Sequence, residues 1–285
     1  MANRTTKSLT VIALAVAILG STIGVTAVSA SAGVTAPSKA SSELAATVRS
    51  ANGASATTWL CKRYQELHVN SSHKLIVSVR NDWWGARGCM SIRNHLANYR
   101  VRTSYHRRGG VVSFPEIYTG CQYGHCTPYS HMPRRVTRLY RDRAAMTWYT
   151  SHNNAGGMHN TAFDIWFGRT RHTGGHSRGA ELMIWLKAKH LGHPAGRRFR
   201  IGGRTWILST WRAHLPGTRV YWNYVRFWAA HPTNSVKHLR LNPFVRIARR
   251  YGKIHRSWWL WTIDAGNEIW NGGRGLHTAW FWAKP

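Results

Sequence analysis

Residues 161–168 read TAFDIWFG and residues 181–188 read ELMIWLKA. Apolar side chains recur in both at every second position, the period of a strand whose successive side chains point to opposite faces. Phe163, Ile165 and Phe167 share one face of the first segment, and Leu182, Ile184 and Leu186 share one face of the second. Those faces suit a core. The opposite faces carry Ala162, Asp164 and Trp166, and Glu181, Met183 and Trp185. A carboxylate among such neighbours is costly to desolvate unless it is paired or used. A carboxylate beside an indole also suits a sugar cleft, because the CH-rich face of a sugar stacks on an aromatic ring.

Outward from this pair, the segments KLIVSVRNDWWG, VVSFPEIYTG, RFRIGGRTWILSTW, RVYWNYVRFW, WWLWTIDAG and GLHTAWFWA repeat the pattern between Gly, Asn and Pro clusters. They predict short strands at the spacing of a β-sandwich. One segment departs from it. Asn242-Pro243 supplies an N-cap followed by proline, Leu241, Phe244, Val245 and Ala248 fall on one helical face, and Gly252 ends the run. The expected class is all-β with one short α-helix. The other face of that helix carries Arg246, Arg249, Arg250 and Lys253, either a solvated polar face or a strip that binds anions.

Before the strands, Arg4 and Lys7 precede an apolar run from Leu9 to Leu19, and Ala30-Ser31-Ala32 offers a small-x-small cleavage site. Residues 1–32 are therefore predicted to be a signal peptide, with an uncleaved signal anchor as the competing reading, and the chain is expected to be secreted and extracellular. Residues 33–58 are small and polar, with too little apolar surface to order themselves, and predict a flexible linker. Aromatic-rich sequence then runs unbroken, so 59–285 is expected to form one domain. No comparably apolar run recurs that could span a bilayer. Export places Cys61, Cys89, Cys121 and Cys126 where disulfides persist. Cys121 and Cys126 flank a short loop, which leaves Cys61 for Cys89; a zinc site using His125 or His131 competes with this pairing.

Forty Lys plus Arg face nine Asp plus Glu, for a formal net charge of +31. Such a surface attracts anionic polymers or surfaces without specificity, or is merely solvated. The basic residues are spread along the chain and no nucleic-acid fold signature appears, so no dedicated nucleic-acid site is expected. The scarcity of acids makes elimination practicable. Glu43 lies in the linker, Glu66 in a polar stretch and Asp142 between arginines, leaving Asp82, Glu116, Asp164, Glu181, Asp264 and Glu268. Glu268 lies in AGNEIWNGG, sharing a face with Trp270. Hydrolysis of a glycosidic bond needs two carboxyl groups in different roles; a buried ion pair with some of the arginines is the competing explanation for acids among apolar neighbours.

At these residues the chain resembles glycoside hydrolase family 12, the β-jelly-roll endoglucanases, over essentially all of Trp59 to Pro285. ELMIWL is similar to the family's E-[IL]-M-I-W strand, and AGNEIWNGGRGL to its G-x-E-[PI]-[WF]-x-G-x-G-L segment. TAFDIWF is similar to A-Y-D-[IL]-[WF], RNDWWG to N-N-x-W-G, and FPEIYTGCQYGHC to the family's Y-P-S-I-Y-x-G-C-H-W-x-x-C. The resemblance implies a sandwich of two antiparallel sheets, a Cys121–Cys126 bridge and a retaining endo-β-1,4-glucanase. It makes Glu181 the nucleophile, Glu268 the general acid/base and Asp164 a carboxylate hydrogen-bonded to the nucleophile. Trp84 would stack on the sugar, with Asp82, Met183, Trp185 and Trp270 as further substrate contacts. No metal or other cofactor is required, the partner is a β-glucan, and a monomer is expected. Xyloglucan or mixed-linkage glucan cleavage is the alternative within the class, and a non-catalytic wall-binding jelly roll the alternative outside it.

Three positions depart from the family pattern. Asp82 replaces the second asparagine of N-N-x-W-G, Asn267 precedes the acid/base where Thr or an aromatic is usual, and Asp264 stands where Gln is common. Asp264 is four residues from Glu268, on the same face of a regular strand. It would there either raise the Glu268 pKa or bind an arginine.

Overall fold

The computed structural model describes residues 56–284 apart from 72–74, 107–108, 143, 153–154 and 193. The expected signal peptide, most of the expected linker and Glu43 lie outside the described residues.

Strands β1 (Thr57–Leu60), β2 (Gln65–Asn70), β3 (Ile76–Asn81), β4 (Met90–Arg93), β5 (Tyr99–Val101), β6 (Glu116–Gln122), β7 (His125–Cys126) and β8 (Arg134–Arg135) precede a short helix, α1 (Val136–Asp142). Then come β9 (Ala145–His152), β10 (His159–Gly168), β11 (Ala180–Lys189), β12 (Arg197–Ile201), β13 (Arg204–His214), β14 (Tyr221–Ala229) and β15 (Ser235–Arg240). Helix α2 (Asn242–Arg250), β16 (Trp259–Gly266) and β17 (Leu276–Lys284) complete the described chain.

The strands form two sheets. One has six strands in the order β1-β4-β5-β17-β9-β15; the other runs β12-β13-β14-β11-β10-β16-β6-β3-β2, with β7 and β8 attached to β6 and β16. Their facing sides enclose the core. Phe163, Ile165, Phe167, Leu182, Ile184 and Leu186 are fully buried there, as the alternation requires. Trp148 of β9 meets Phe163 of β10 across the gap at 5.2 Å between ring centroids. The other face of the larger sheet carries a second aromatic cluster that includes Ala162, Met183, Trp185, Trp222, Tyr224 and Trp228. One pairing is not antiparallel: β11 runs parallel to β14, with Glu181 opposite Tyr224, Met183 opposite Arg226 and Trp185 opposite Trp228.

Helix α2 buries Phe244, Val245, Ile247 and Ala248, and Phe244 packs edge-on against Trp206 and Phe227. Gly252 takes φ +66°, and the Lys253 N–H donates to the Ala248 carbonyl at 2.9 Å, the 6→1 bond of a glycine-terminated helix. Its start differs from the expectation. Leu241 occupies the capping position with no side-chain cap, and Asn242 is already helical, because Leu241 is drawn completely into the core. The second helix, α1, was not expected; Val136 and Leu139, one turn apart, bury one face of it.

Both disulfides form as the spacing suggests, Cys61–Cys89 and Cys121–Cys126. The cysteines are therefore bonded to each other, which displaces the zinc reading.

Candidate active site

The aromatic face of the larger sheet opens into a cleft of about 200 Å³. Its position follows from register. On β10 and β11, Asp164 stands opposite Met183 and Trp166 opposite Glu181; on β10 and β16, Asp164 stands opposite Asp264. Period-two alternation then brings side chains from β14, β11, β10 and β16 to one surface. Glu268 follows the end of β16 and reaches the same cleft.

Glu181, Asp164, Glu268, Trp84, Asp82, Trp185 and Trp270 all line the cleft. Met183 does not. It is buried beneath the floor, where its sulfur takes hydrogen bonds from the Tyr224 hydroxyl at 2.7 Å and the Trp185 Nε1 at 3.4 Å. The expected contact with substrate is corrected accordingly: Met183 sets the pose of two rings. Trp84 is held by its Nε1 donating to the Val111 carbonyl at 2.9 Å, which fixes the ring at the cleft wall.

The Glu181 carboxylate accepts a hydrogen bond from Trp222 Nε1 at 2.6 Å. Asp164 does not bond it, contrary to the expectation. Asp164 Oδ2 instead accepts from Trp166 Nε1 at 3.0 Å, and its Oδ1 is buried with no partner. The two acids interact through space. Burial, then Asp164 and Glu268, push Glu181 above the usual carboxylate range, while burial, then Glu268 and Glu116, push Asp164 up. Three desolvated carboxyls this close do not all ionise at neutral pH.

Glu268 is oriented by Asn160. The Asn160 Nδ2 donates to Glu268 Oε2, and the Glu268 backbone N–H donates to Asn160 Oδ1 at 2.8 Å. Burial pushes the Glu268 carboxyl up to about 7, opposed by the Asn160 hydrogen bond and the Arg226 charge. Such a group holds its proton near neutrality and releases it readily, as a general acid/base must.

Asp264 lies under the floor and takes neither course the sequence left open. It is fully buried and accepts hydrogen bonds from Thr262 Oγ1 and, at 2.5 Å, from Gln122 Nε2. Gln122 also meets Arg80 and Glu116. Arg80 Nε donates to Glu116 Oε1 at 2.8 Å, and its Nη2 contacts Asp82 at 3.4 Å. The buried ion pair weighed against catalysis thus exists, but at Glu116 and Asp82. One guanidinium pairs with two carboxyls, Glu116 and Asp82. Of the seven acids whose side chains are described, six lie in or under the cleft. Glu66, which accepts from the Tyr118 hydroxyl, is the seventh.

Four further side chains complete the site: Asn160, Trp222, Arg226 and His176. The Arg226 guanidinium lies over Trp185, Trp228 and Trp211 at 4.7, 5.3 and 5.4 Å. His176 packs on Trp222 at 4.3 Å and edge-on to Trp166 at 5.0 Å. Its Nδ1 faces the Ser177 carbonyl at 2.9 Å and so carries the proton, leaving Nε2 as an acceptor. The signal for Trp222 and Arg226 was present as alternation within RVYWNYVRFW; what was missing was that β14 pairs with β11. Among the described residues, no group of three or more His, Cys, Asp or Glu is placed to hold a metal ion.

The model of Glycosyl hydrolase family 12 matches residues 75–284 of this chain. An endoglucanase from Rhodothermus marinus is similar at 32% identity and a TM-score of 0.70, over 80% of this chain and 98% of that one. A metagenome-derived family 12 endoglucanase is similar at 29% identity and a TM-score of 0.69, over 80% and 97%. A family 12 xyloglucanase from Bacillus licheniformis shares the fold at 20% identity and a TM-score of 0.69, over 80% and 99%. Comparison with curated proteins found no match.

Proposed function

The chain belongs to glycosyl hydrolase family 12, and on that premise we propose that it is a secreted, retaining endo-β-1,4-glucanase with Glu181 as nucleophile and Glu268 as acid/base. It is a glycoside hydrolase of a β-glucan-cleaving family; the bond specificity, the stereochemistry and the residue roles are the proposal. The observation that carries it is the unequal treatment of two carboxyls in one aromatic cleft. Glu268 sits at about 7, held by an amide that both donates to it and accepts from its backbone. Glu181 faces an indole N–H, which favours its charged form, and the unpartnered Asp164 Oδ1 is the place for the proton that the crowded cluster retains.

In the first step Glu181, ionised, attacks the anomeric carbon while Glu268 gives its proton to the departing glycosidic oxygen. The bond to the leaving sugar breaks and a glycosyl ester with Glu181 forms. Glu268, now a carboxylate, takes a proton from water, whose oxygen attacks the anomeric carbon and releases Glu181. Trp84 and Trp270, half-buried in the cleft lining, are the rings on which sugar would stack, a contact insensitive to hydroxyl orientation.

The direct test is digestion of a panel of cellulose, carboxymethylcellulose, mixed-linkage glucan and xyloglucan, with the product anomer followed by NMR. Net retention and a fall in polymer viscosity ahead of sugar release are expected. A product that first appears inverted contradicts the double displacement, and inactivity on every glucan contradicts the function. Activity confined to xyloglucan or mixed-linkage glucan would select the alternative within the class.

The pH profile follows from Glu268. Activity requires its protonated form, so kcat/KM is expected to fall as pH rises through about 7. Arg226 lowers the Glu268 pKa, so Arg226→Met is expected to move this alkaline limb to higher pH. A limb that stays in place or moves down would show that Arg226 does not act on Glu268.

A further inference from the structure

Outside the cleft, the structure gathers arginines into a second cavity of about 780 Å³. Arg246, Arg249 and Arg250 reach it from α2, Arg256 and His255 from the loop after α2, and Arg169 from the loop after β10. Among the described residues no carboxylate lines it, and none of these five arginines makes a salt bridge. Arg249 and Arg250 complement the negative end of the α2 dipole, and Arg249 donates to the Tyr140 hydroxyl. Arg169 and Arg256 lie on other segments and have no such account. Bringing five guanidinium groups to one concavity costs repulsion, which an anionic occupant would relieve.

The cations are arginines throughout and include no lysine. The planar guanidinium matches carboxylate and phosphate oxygens in pairs, which a lysine ammonium does not. Trp258 lines the same cavity, with Arg169 over its ring at 5.7 Å, and offers an apolar edge beside the charges. The cavity also lies close to the cleft along the chain. One loop carries Arg169 into the cavity and Gly175, His176 and Ser177 into the cleft wall, and on β14 Asn223 lines the cavity while Trp222 lines the cleft. The two concavities thus share one loop and one strand, with Trp222 and Asn223 pointing to opposite faces of β14.

We propose that this arginine cavity is a secondary binding site for the oxyanions of an acidic polysaccharide, through Arg169, Arg250 and Arg256. Because the protein is a glycoside hydrolase and the two sites share a loop, a charged glycan is favoured over nucleic acid as the occupant. The site would hold the enzyme on acidic wall material while the cleft works on neutral glucan beside it. The oxyanion is a uronate carboxylate or a phosphodiester of a phosphate-linked glycan, and both present the same oxygen geometry.

The test measures binding of the full chain carrying Glu181→Gln to labelled polygalacturonate, to a glycerol-phosphate polymer and to duplex DNA, at about 0.15 M salt where diffuse attraction is screened. The variant Arg169→Ala/Arg250→Ala/Arg256→Ala is compared with Arg198→Ala/Arg200→Ala/Arg204→Ala, which removes equal charge from exposed positions lining neither cavity. A loss of about tenfold or more in the first and little in the second is expected, and the polymer bound more tightly identifies carboxylate or phosphate as the source. Equal losses, or no binding, overturn the site. Duplex DNA bound more tightly than either glycan, with the same dependence on the cavity, overturns the glycan in favour of nucleic acid. If the alanine variant does not fold, Arg169→Lys/Arg250→Lys/Arg256→Lys carries the test: weakening by several-fold at constant charge supports paired contacts, and unchanged affinity overturns them. In the otherwise wild-type enzyme the alanine substitutions are expected to leave kcat/KM on a neutral β-glucan unchanged. Inactivity of wild type on neutral glucan would instead strike the glucanase reading and leave the binding result standing.

Discussion

Glu181→Ala is expected to lower kcat on a β-glucan by about 10³-fold or more, because it removes the group that forms the covalent intermediate. The fold should survive. Glu181 sits at the cleft face of β11 and one hydrogen bond, from Trp222, depends on it. Glu268→Gln is expected to cost orders of magnitude as well on substrates with a poor leaving group, since general acid assistance is what it removes. The two are told apart by adding azide. In the Glu181 variant azide would attack from the vacated side and give the α-glycosyl azide; in the Glu268 variant it would intercept the glycosyl ester and give the β product. A variant that keeps near wild-type turnover, or the two products exchanged, would refute the assignment of that residue.

The second large effect concerns stability. Arg80→Met is expected to destabilise the fold by about 3–5 kcal/mol at neutral pH, since breaking a buried pair forces its partner either to bear an unpaired charge or to take up a proton on folding. Arg80 is buried and lies 2.6 Å from Glu116, with Asp82 at 3.4 Å. For a domain of this size the loss corresponds to a fall in Tm of roughly 6–20 °C. Burial pushes Glu116 up and Arg80 pulls it down, so without Arg80 the folded-state pKa rises further above its unfolded value. Stability of the variant is then greatest at acid pH, where the carboxyl is protonated in both states, and is lost as pH rises through the folded pKa. The penalty should therefore shrink on acidification. Arg80→Met/Glu116→Leu should recover much of the loss, as an apolar pair of similar volume often replaces a buried ion pair without penalty. Thermal and urea denaturation across pH checks both points; a loss below about 1 kcal/mol would mean that solvent or Gln122 supports Glu116 without Arg80.

The network around Arg80 also clarifies the division of acids in this protein. A chain with a net charge of +31 concentrates six of its carboxyls at one cleft, where desolvation and mutual repulsion raise their proton affinity. Burial, then Glu116 and Asp164, push Asp264 up within that set, and Asp82 shares the Arg80 guanidinium with Glu116. The departures from the family pattern at these two positions therefore fall on the floor of the site, beneath and beside the groups proposed to react.

Much of this was determined by the sequence by itself. Period-two alternation in TAFDIWFG and ELMIWLKA placed Asp164 and Glu181 on one surface and the leucine and phenylalanine faces in the core, because a strand has no other way to orient successive side chains. The short loop between Cys121 and Cys126 and the scarcity of acids narrowed the pairing and the candidates in the same local way. Tertiary structure decided what depends on neighbours distant in the chain. Alternation within RVYWNYVRFW does not say that β14 lies parallel to β11, so Trp222 as the partner of Glu181 and Arg226 as a charge near Glu268 appear only once the sheet is ordered. Met183 shares the face of Glu181 yet lies under the floor, because Tyr224 and Trp185, brought by pairing and packing, cover it. Leu241 took the capping position expected of Asn242 since core burial outweighs a single capping bond. Arg169 joins Arg250 and Arg256 for the same reason: a local pattern sets which way a side chain points, and only the packing of remote segments sets what it meets.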